Sequence, residues 1–236
     1  MQVKTLAGLN RSKNRNYKRI SNRGASVEKK RTREKLSSIL KRMGVSIIFP
    51  RDSKLYGERE PANYIYNIIS GAVRSYKLLD DGRRQINAFY VAGDVFGLEA
   101  GARHRFSAEA IITSSILVVK RSALTALAAR EIDVANDLLT LTARGLEHVQ
   151  NLMITLGRKN AQERVASFLL EMAGRGSDKN TIELPMSRRD IADYLGLTVE
   201  TVSRTFTQLE NNAVIALPSS RRVVLRNHNA LNLLNA

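Results

Sequence analysis

The sequence predicts an α+β fold in three parts: an N-terminal β-roll, a long central helix and a C-terminal winged helix-turn-helix. Three observations carry this expectation. Residues 47–120 alternate apolar and polar positions between glycine turns, and residues 122–156 return to a helical period. Residues 187–211, SRRDIADYLGLTVETVSRTFTQLEN, read as helix, tight turn and helix. At 236 residues the chain has room for two modest domains. The expected divisions are a basic tail over 1–24, the β-roll with a preceding helix over 25–121, a dimerisation-helix region over 122–157, and the winged module over 158–236.

The formal net charge is +16, and residues 1–42 carry most of it, with fourteen Lys and Arg against two Glu. The total charge therefore says little about where a polyanion docks. Residues 1–24 have little to bury and read as a solvated tail or as a sequence-independent arm for phosphates. A helix is expected from Ser26 to Met43, with Val27, Leu36, Leu40 and Met43 on its apolar side. In the β-roll, YIYNIISGAVRSYKLL is followed by the Asp80-Asp81-Gly82 hairpin turn and the strand RQINAFYV. Ala92-Gly93-Asp94 is a second turn, and IITSSILVVK a further strand.

In the central helix, Leu139, Thr142, Leu146, Val149, Met153 and Leu156 follow a 3-4-3-4-3 spacing. That is the seam of a coiled coil, or the face of a helix packed on its own domain. A DNA reader favours the seam, because two copies meet two half-sites about one helical turn apart. A hinge is expected at Gly157 to Lys159, then an amphipathic helix over 159–173 with Ala161, Val165, Phe168, Leu169 and Met172 inward. Gly174 to Asn180 is a polar connector. After the two-helix unit, AVIAL and RRVVL flank Pro218-Ser219-Ser220 as a hairpin, the wing. The apolar tail from Ala230 to Ala236 reads as a last helical turn, or as a handle for an ATP-dependent protease.

The chemistry concentrates in the two-helix unit. Ile191, Ala192 and Leu195 lie at helical spacing, Gly196 suits the turn, and Val199, Val202 and Phe206 resume the period. Ser187-x-x-Asp190 resembles a capping box, and Thr198 stands where a hydroxyl caps the second helix. Val199, Glu200, Ser203 and Arg204 share one face. Arg donates two hydrogen bonds to guanine, Glu accepts from cytosine, and an apolar side chain meets a thymine methyl. These four are the candidates for base readout. Ser187, Arg188, Arg189, Thr198, Thr201, Arg221 and Arg222 are candidates for phosphate contacts, with ordinary capping the other reading for the hydroxyls.

The sequence has no cysteine, which excludes disulfides, thiolate-held zinc and cysteine-ligated iron–sulfur clusters and fits a cytoplasmic protein. No apolar run reaches the ~18 residues that span a bilayer, so no membrane partner is expected. Neither a G-x-x-x-x-G-K-[ST] loop, a histidine pair at metal spacing nor a nucleophile elbow is present, and no enzyme or cofactor is expected.

From about residue 47 to 227 the chain resembles the cyclic-AMP receptor protein/FNR family of bacterial transcription regulators. Gly71, Gly82-Arg83-Arg84-Gln85 and Gly93-Asp94-x-Phe96-Gly97 match its β-roll signature, and Glu200-Thr201-Val202-Ser203-Arg204 matches the E-x-x-S-R motif of the FNR and FixK branch. The resemblance implies a cyclic-nucleotide-binding-like jelly roll and a homodimer built on the central helix. It also implies TTGAT half-sites in a palindrome and activation through RNA polymerase. Family binders of cyclic nucleotides place Arg before Ser-Ala; here Phe106 precedes Ser107-Ala108, with Arg103 and Arg105 nearby. His104, His148 and His228 are scattered and form no haem or metal set. The chain therefore looks FixK-like, without a recognised effector. The other reading is a ligand-gated regulator whose effector leaves no signature.

Overall fold

The computed structural model describes residues 36–176 and 178–235. The expected basic tail and the first part of the expected 26–43 helix lie outside the described residues. The described part of α1 covers 36–43 and buries Leu36, Ile39 and Leu40. Eight strands follow: β1 (Val45–Phe49), β2 (Lys54–Tyr56), β3 (Tyr64–Ser70), β4 (Ala72–Leu78), β5 (Arg84–Val91), β6 (Val95–Phe96), β7 (Ser107–Ala110) and β8 (Ser114–Lys120). They form two antiparallel four-stranded sheets, ordered β1-β8-β3-β6 and β2-β7-β4-β5. The β4–β5 turn closes as its residues dictate: Gly82 takes φ +82°, and the Asp81 carboxylate accepts from the Arg83 amide at 3.0 Å.

Alternation along the strands sends one set of side chains between the sheets. Tyr56, Tyr66, Ile68, Val73, Phe96, Ala108 and Ile116 are buried there. Aromatic rings fill this interior, with Tyr56 stacked on His104 at 3.6 Å and Tyr90 on Phe96 at 4.4 Å. The outer face of the first sheet is covered by α1 and by two further helices, α2 (Arg121–Ala128) and α3 (Ile132–Arg158), through Leu36, Leu40, Ile65, Leu117, Leu124 and Val134.

The helical period over 122–156 is thus two helices rather than one. The chain leaves the helix at 129–131, with Glu131 extended, and neither glycine nor proline marks the break. Leu124 of α2 and Val134 of α3 are buried in one cluster on either side of the bend.

The winged module holds α4 (Ala161–Arg175), α5 (Arg188–Leu195), α6 (Val199–Asn211), α7 (His228–Asn235) and a sheet ordered β10-β11-β9. Its strands are β9 (Thr181–Glu183), β10 (Ile215–Ser219) and β11 (Arg222–Leu225). The third strand, β9, had no periodic signal in the sequence because three residues cannot show one. Asn160 caps α4 in a reciprocal box with Glu163. The tail is the helix α7: Leu231 is buried, and the Lys159 Nζ donates to the Asn235 carbonyl at 2.7 Å.

The junction between the two halves differs from a bare hinge. Gly157 and Arg158 end α3, and Lys159 is its C-cap. Yet Ala72, Ile86, Phe89 and Ile111, on the outer face of the second sheet, belong to the same buried cluster as Val165, Phe168, Leu169, Ile191 and Phe206 of the winged module. Phe89 meets Tyr194 at 5.2 Å and Phe168 at 6.2 Å between ring centroids.

Candidate nucleic-acid interface

The first helix of the reading unit starts where its cap dictates. The Ser187 Oγ accepts from the Asp190 amide at 3.1 Å, and the Asp190 carboxylate accepts from the Ser187 amide at 3.0 Å. Aspartate serves where the usual box has Glu or Gln. Gly196 ends α5 in the left-handed region at φ +61°, a conformation that strains any residue with a Cβ. Ala192 is 1% exposed, small at the point where the helices cross. Thr198 then caps α6, its Oγ1 accepting from the Thr201 amide at 3.1 Å.

On α6, Val202, Thr205, Phe206 and Leu209 are buried. Glu200, Ser203 and Arg204 point to solvent, and Thr207 and Gln208 extend the same exposed face. The last two were legible as the i+4 successors of Ser203 and Arg204 but carry no motif. Val199 and Thr201 are half-buried, Val199 against the module core. The Ser203 hydroxyl donates to the Val199 carbonyl at 2.8 Å in the free helix, leaving its oxygen able to accept. The Glu200 carboxyl is held below the usual carboxylate range by its own backbone amide, then by Thr198 and by the charges of Arg204 and Arg189. It is therefore an anion, and an acceptor, at neutral pH.

The flanking arginines divide. Arg189, Arg221 and Arg222 are exposed; Arg221 donates to the Pro185 carbonyl at 3.2 Å, and Arg222 faces Glu183 at 3.4 Å. Arg188 is half-buried with its guanidinium 3.5 Å from the Phe206 ring centroid, and burial pushes its pKa below the usual arginine value. The structure therefore uses Arg188 to pack the two helices together.

Behind the reading face, Arg164 ties two helix ends together. Its guanidinium donates to the carbonyls of Lys159 (2.8 Å), Leu195 (2.9 Å) and Leu156 (2.9 Å). These are orphan carbonyls at the C-termini of α3 and α5. No sequence motif singled out this residue. Along α3, Leu139, Leu146, Val149 and Met153 are exposed at 68%, 60%, 49% and 66%, Thr142 is exposed, and Leu156 is half-buried. Leu138 and Leu141 pack instead on the β-roll side, and Leu152 on the winged module. The face left over is an apolar stripe in water. Among the described residues no helix is long and apolar enough to cross a membrane.

Comparison with known proteins agrees with both halves. Residues 47–131 match the family described as a cyclic nucleotide-binding domain, and residues 163–234 match the Crp-like helix-turn-helix domain. The chain is 47% identical over 205 residues to the nitrogen fixation regulation protein FixK of Azorhizobium caulinodans, covering 85% of this chain and 83% of that protein. It is 40% identical over 175 residues to the transcriptional activatory protein AadR of Rhodopseudomonas palustris, covering 72% of this chain and 73% of that one. Its fold is similar to that of FixK2 from Bradyrhizobium japonicum, with a TM-score of 0.80 and 52% identity over 82% of this chain and 98% of that chain. With a reading helix built on Gly196 and Thr198 and relatives that match along most of their length, the chain belongs to the CRP/FNR family of DNA-binding transcription regulators.

Proposed function

We propose that the protein is a homodimeric, sequence-specific regulator that reads palindromic TTGAT-type half-sites and activates transcription by contacting RNA polymerase. The observation that carries the reading is the exposed face of α6, on which Glu200, Ser203 and Arg204 stand clear of the core. An arginine on that face suits bidentate donation to guanine, and an ionised Glu200 suits acceptance from the cytosine amino group. The half-buried Val199 contributes an apolar edge for a thymine methyl. Ser187, Thr198 and Thr201 at the helix starts, with Arg189, Arg221 and Arg222, hold the phosphates; Arg188 supports the helix pair from behind.

The second copy is expected along α3, where the exposed stripe of Leu139, Thr142, Leu146, Val149 and Met153, ending at the half-buried Leu156, has the spacing of a two-helix seam. The β-roll acts as scaffold. Its interior holds Tyr56, Tyr66, Tyr90, Phe96 and His104 in mutual ring contact, which supports a working mode without a cyclic nucleotide. Activation rests on the name of the relative AadR and on the family resemblance. A protease acting on the tail would first have to detach α7 from Lys159 and Ser167.

Binding of Arg204→Ala to matched and point-changed duplexes tests the readout. The expected loss is about 1–3 kcal/mol on the matched site, with relaxed discrimination at one base pair. Equal losses on every sequence would remove Arg204 from base reading.

A further inference from the structure

The winged module is gripped by its own β-roll through polar contacts that the reading of DNA does not by itself require. Asp190, 3% exposed, is the residue that completes the cap of α5. Its Oδ1 also accepts from the Arg74 Nη1 at 3.1 Å and the Arg84 Nη2 at 2.7 Å. The Arg84 Nε donates to Asp193, one turn further along α5, at 2.8 Å. The neighbouring Gln85 donates to the Tyr194 carbonyl near the end of the helix at 3.3 Å. Arg74 is itself anchored in its sheet, its Nη2 donating to Glu109 on β7 at 2.8 Å.

These contacts engage α5 near its start, in its middle and near its end. Apolar contacts such as those of Phe89 resist separation but tolerate sliding. A planar guanidinium fork on two carboxylates fixes direction as well as distance. The orientation of the reading unit relative to the β-roll is therefore set by Arg74 and Arg84.

In a dimer joined along α3, the two β-rolls are fixed relative to one another, so the separation of the two α6 helices follows from this grip. We infer that Arg74 and Arg84 determine which spacing between half-sites the dimer accepts. They are positioning residues, and neither touches a base. This rests on the dimeric reading proposed above.

Duplexes carrying two identical half-sites, with the spacer varied one base pair at a time, test the inference. Each added pair moves the second site by about 3.4 Å and turns it by roughly 35°. The protein is compared with Arg74→Met and Arg84→Met, each of which leaves the other arginine on Asp190. Asp193→Ala removes one Arg84 contact from a half-buried position and serves if either methionine variant fails to fold, as judged by circular dichroism. The unaltered protein is expected to lose about tenfold in affinity one pair away from its best spacing, similar to one mismatched base pair. The variants are expected to bind neighbouring spacings within about threefold of one another, while a base change in the half-site still costs about tenfold.

A variant with the unaltered spacing profile overturns the inference. So does one that loses base discrimination instead, because the arginines would then build the reading unit rather than position it. An unaltered protein that reads bases but accepts every spacing removes only this inference. One that ignores base changes altogether removes the dimeric, sequence-specific reading beneath it.

Discussion

Single residues in this chain do two kinds of work, and only one kind shows in the sequence. Ser187, Gly196 and Thr198 were legible because caps and left-handed turns are local: a partner lies within three residues, and residue type is nearly sufficient. Arg164 and Arg188 were not, since their partners depend on how helices pack. Arg164 reads as one more surface arginine until its fork is seen closing the ends of α3 and α5. Three orphan carbonyls depend on it, and hydrogen bonds from a charged donor are worth more than neutral ones. Arg164→Ala is expected to lower stability by about 1.5–3 kcal/mol, read from urea denaturation midpoints. Arg164→Lys should recover little of this, because an ammonium cannot span the same three acceptors. Full recovery by lysine would mean that charge near the helix ends, rather than the fork, supplies the stability. Arg188 teaches the complementary lesson. It sits among candidate phosphate contacts, and it also stacks on Phe206, eighteen positions away, a packing partner no local pattern announces.

At the scale of elements, periodicity succeeded where a face is long and failed at its interruptions. Strands β3, β4, β5 and β8, the Asp80-Asp81-Gly82 turn, α4 and the two-helix unit appear where alternation or helical spacing placed them, whereas the short β1, β2, β6 and β7 carried no separate signal. The break between α2 and α3 escaped because both sides keep a helical pattern and no breaker residue separates them. The short β9 escaped because its partner strand, not its composition, makes it a strand. The stripe on α3 is the element whose role reaches furthest. Its apolar residues are exposed, while the packing contacts of α3 run through Val134, Leu138, Leu141 and Leu152, so a charge placed on the stripe disturbs none of them. A Leu146→Glu/Met153→Glu double variant is expected to keep its far-ultraviolet circular dichroism and to sediment as one chain rather than two. Two buried glutamates in an apolar seam are strongly unfavourable. Retention of the two-chain species would place the dimer contact elsewhere.

For the whole molecule, the connection between domains matters more than the division between them. The sequence divides naturally at residues 157–159, and that boundary suggests two bodies on a flexible joint. The spatial partners contradict a free joint. Arg74 and Asp190 are separated by 116 positions in the chain, and Phe89 reaches across to Phe168 and Tyr194. Long-range contacts of this kind leave no local pattern, so they could not be read beforehand. Their thermodynamic consequence is cooperativity: two domains that share a buried cluster unfold together, because exposing one half of the cluster removes the partner of the other. Differential scanning calorimetry should therefore show a single endotherm. Phe89 is 1% exposed at the centre of that shared surface. Phe89→Ala removes the ring and leaves a cavity between the domains, at a cost of about 3–5 kcal/mol. Because the lost contacts are those that couple the halves, the variant should do more than melt earlier; its endotherm should separate into two. A Phe206→Ala variant, truncated inside the winged module alone, carries a similar cavity cost but leaves the junction intact, and should shift the transition without splitting it. If Phe89→Ala melts as one sharp transition like Phe206→Ala, the coupling runs through the polar contacts of Arg74 and Arg84, and of Arg175, whose Nη1 donates to the Phe89 carbonyl at 2.6 Å, rather than through the shared apolar cluster.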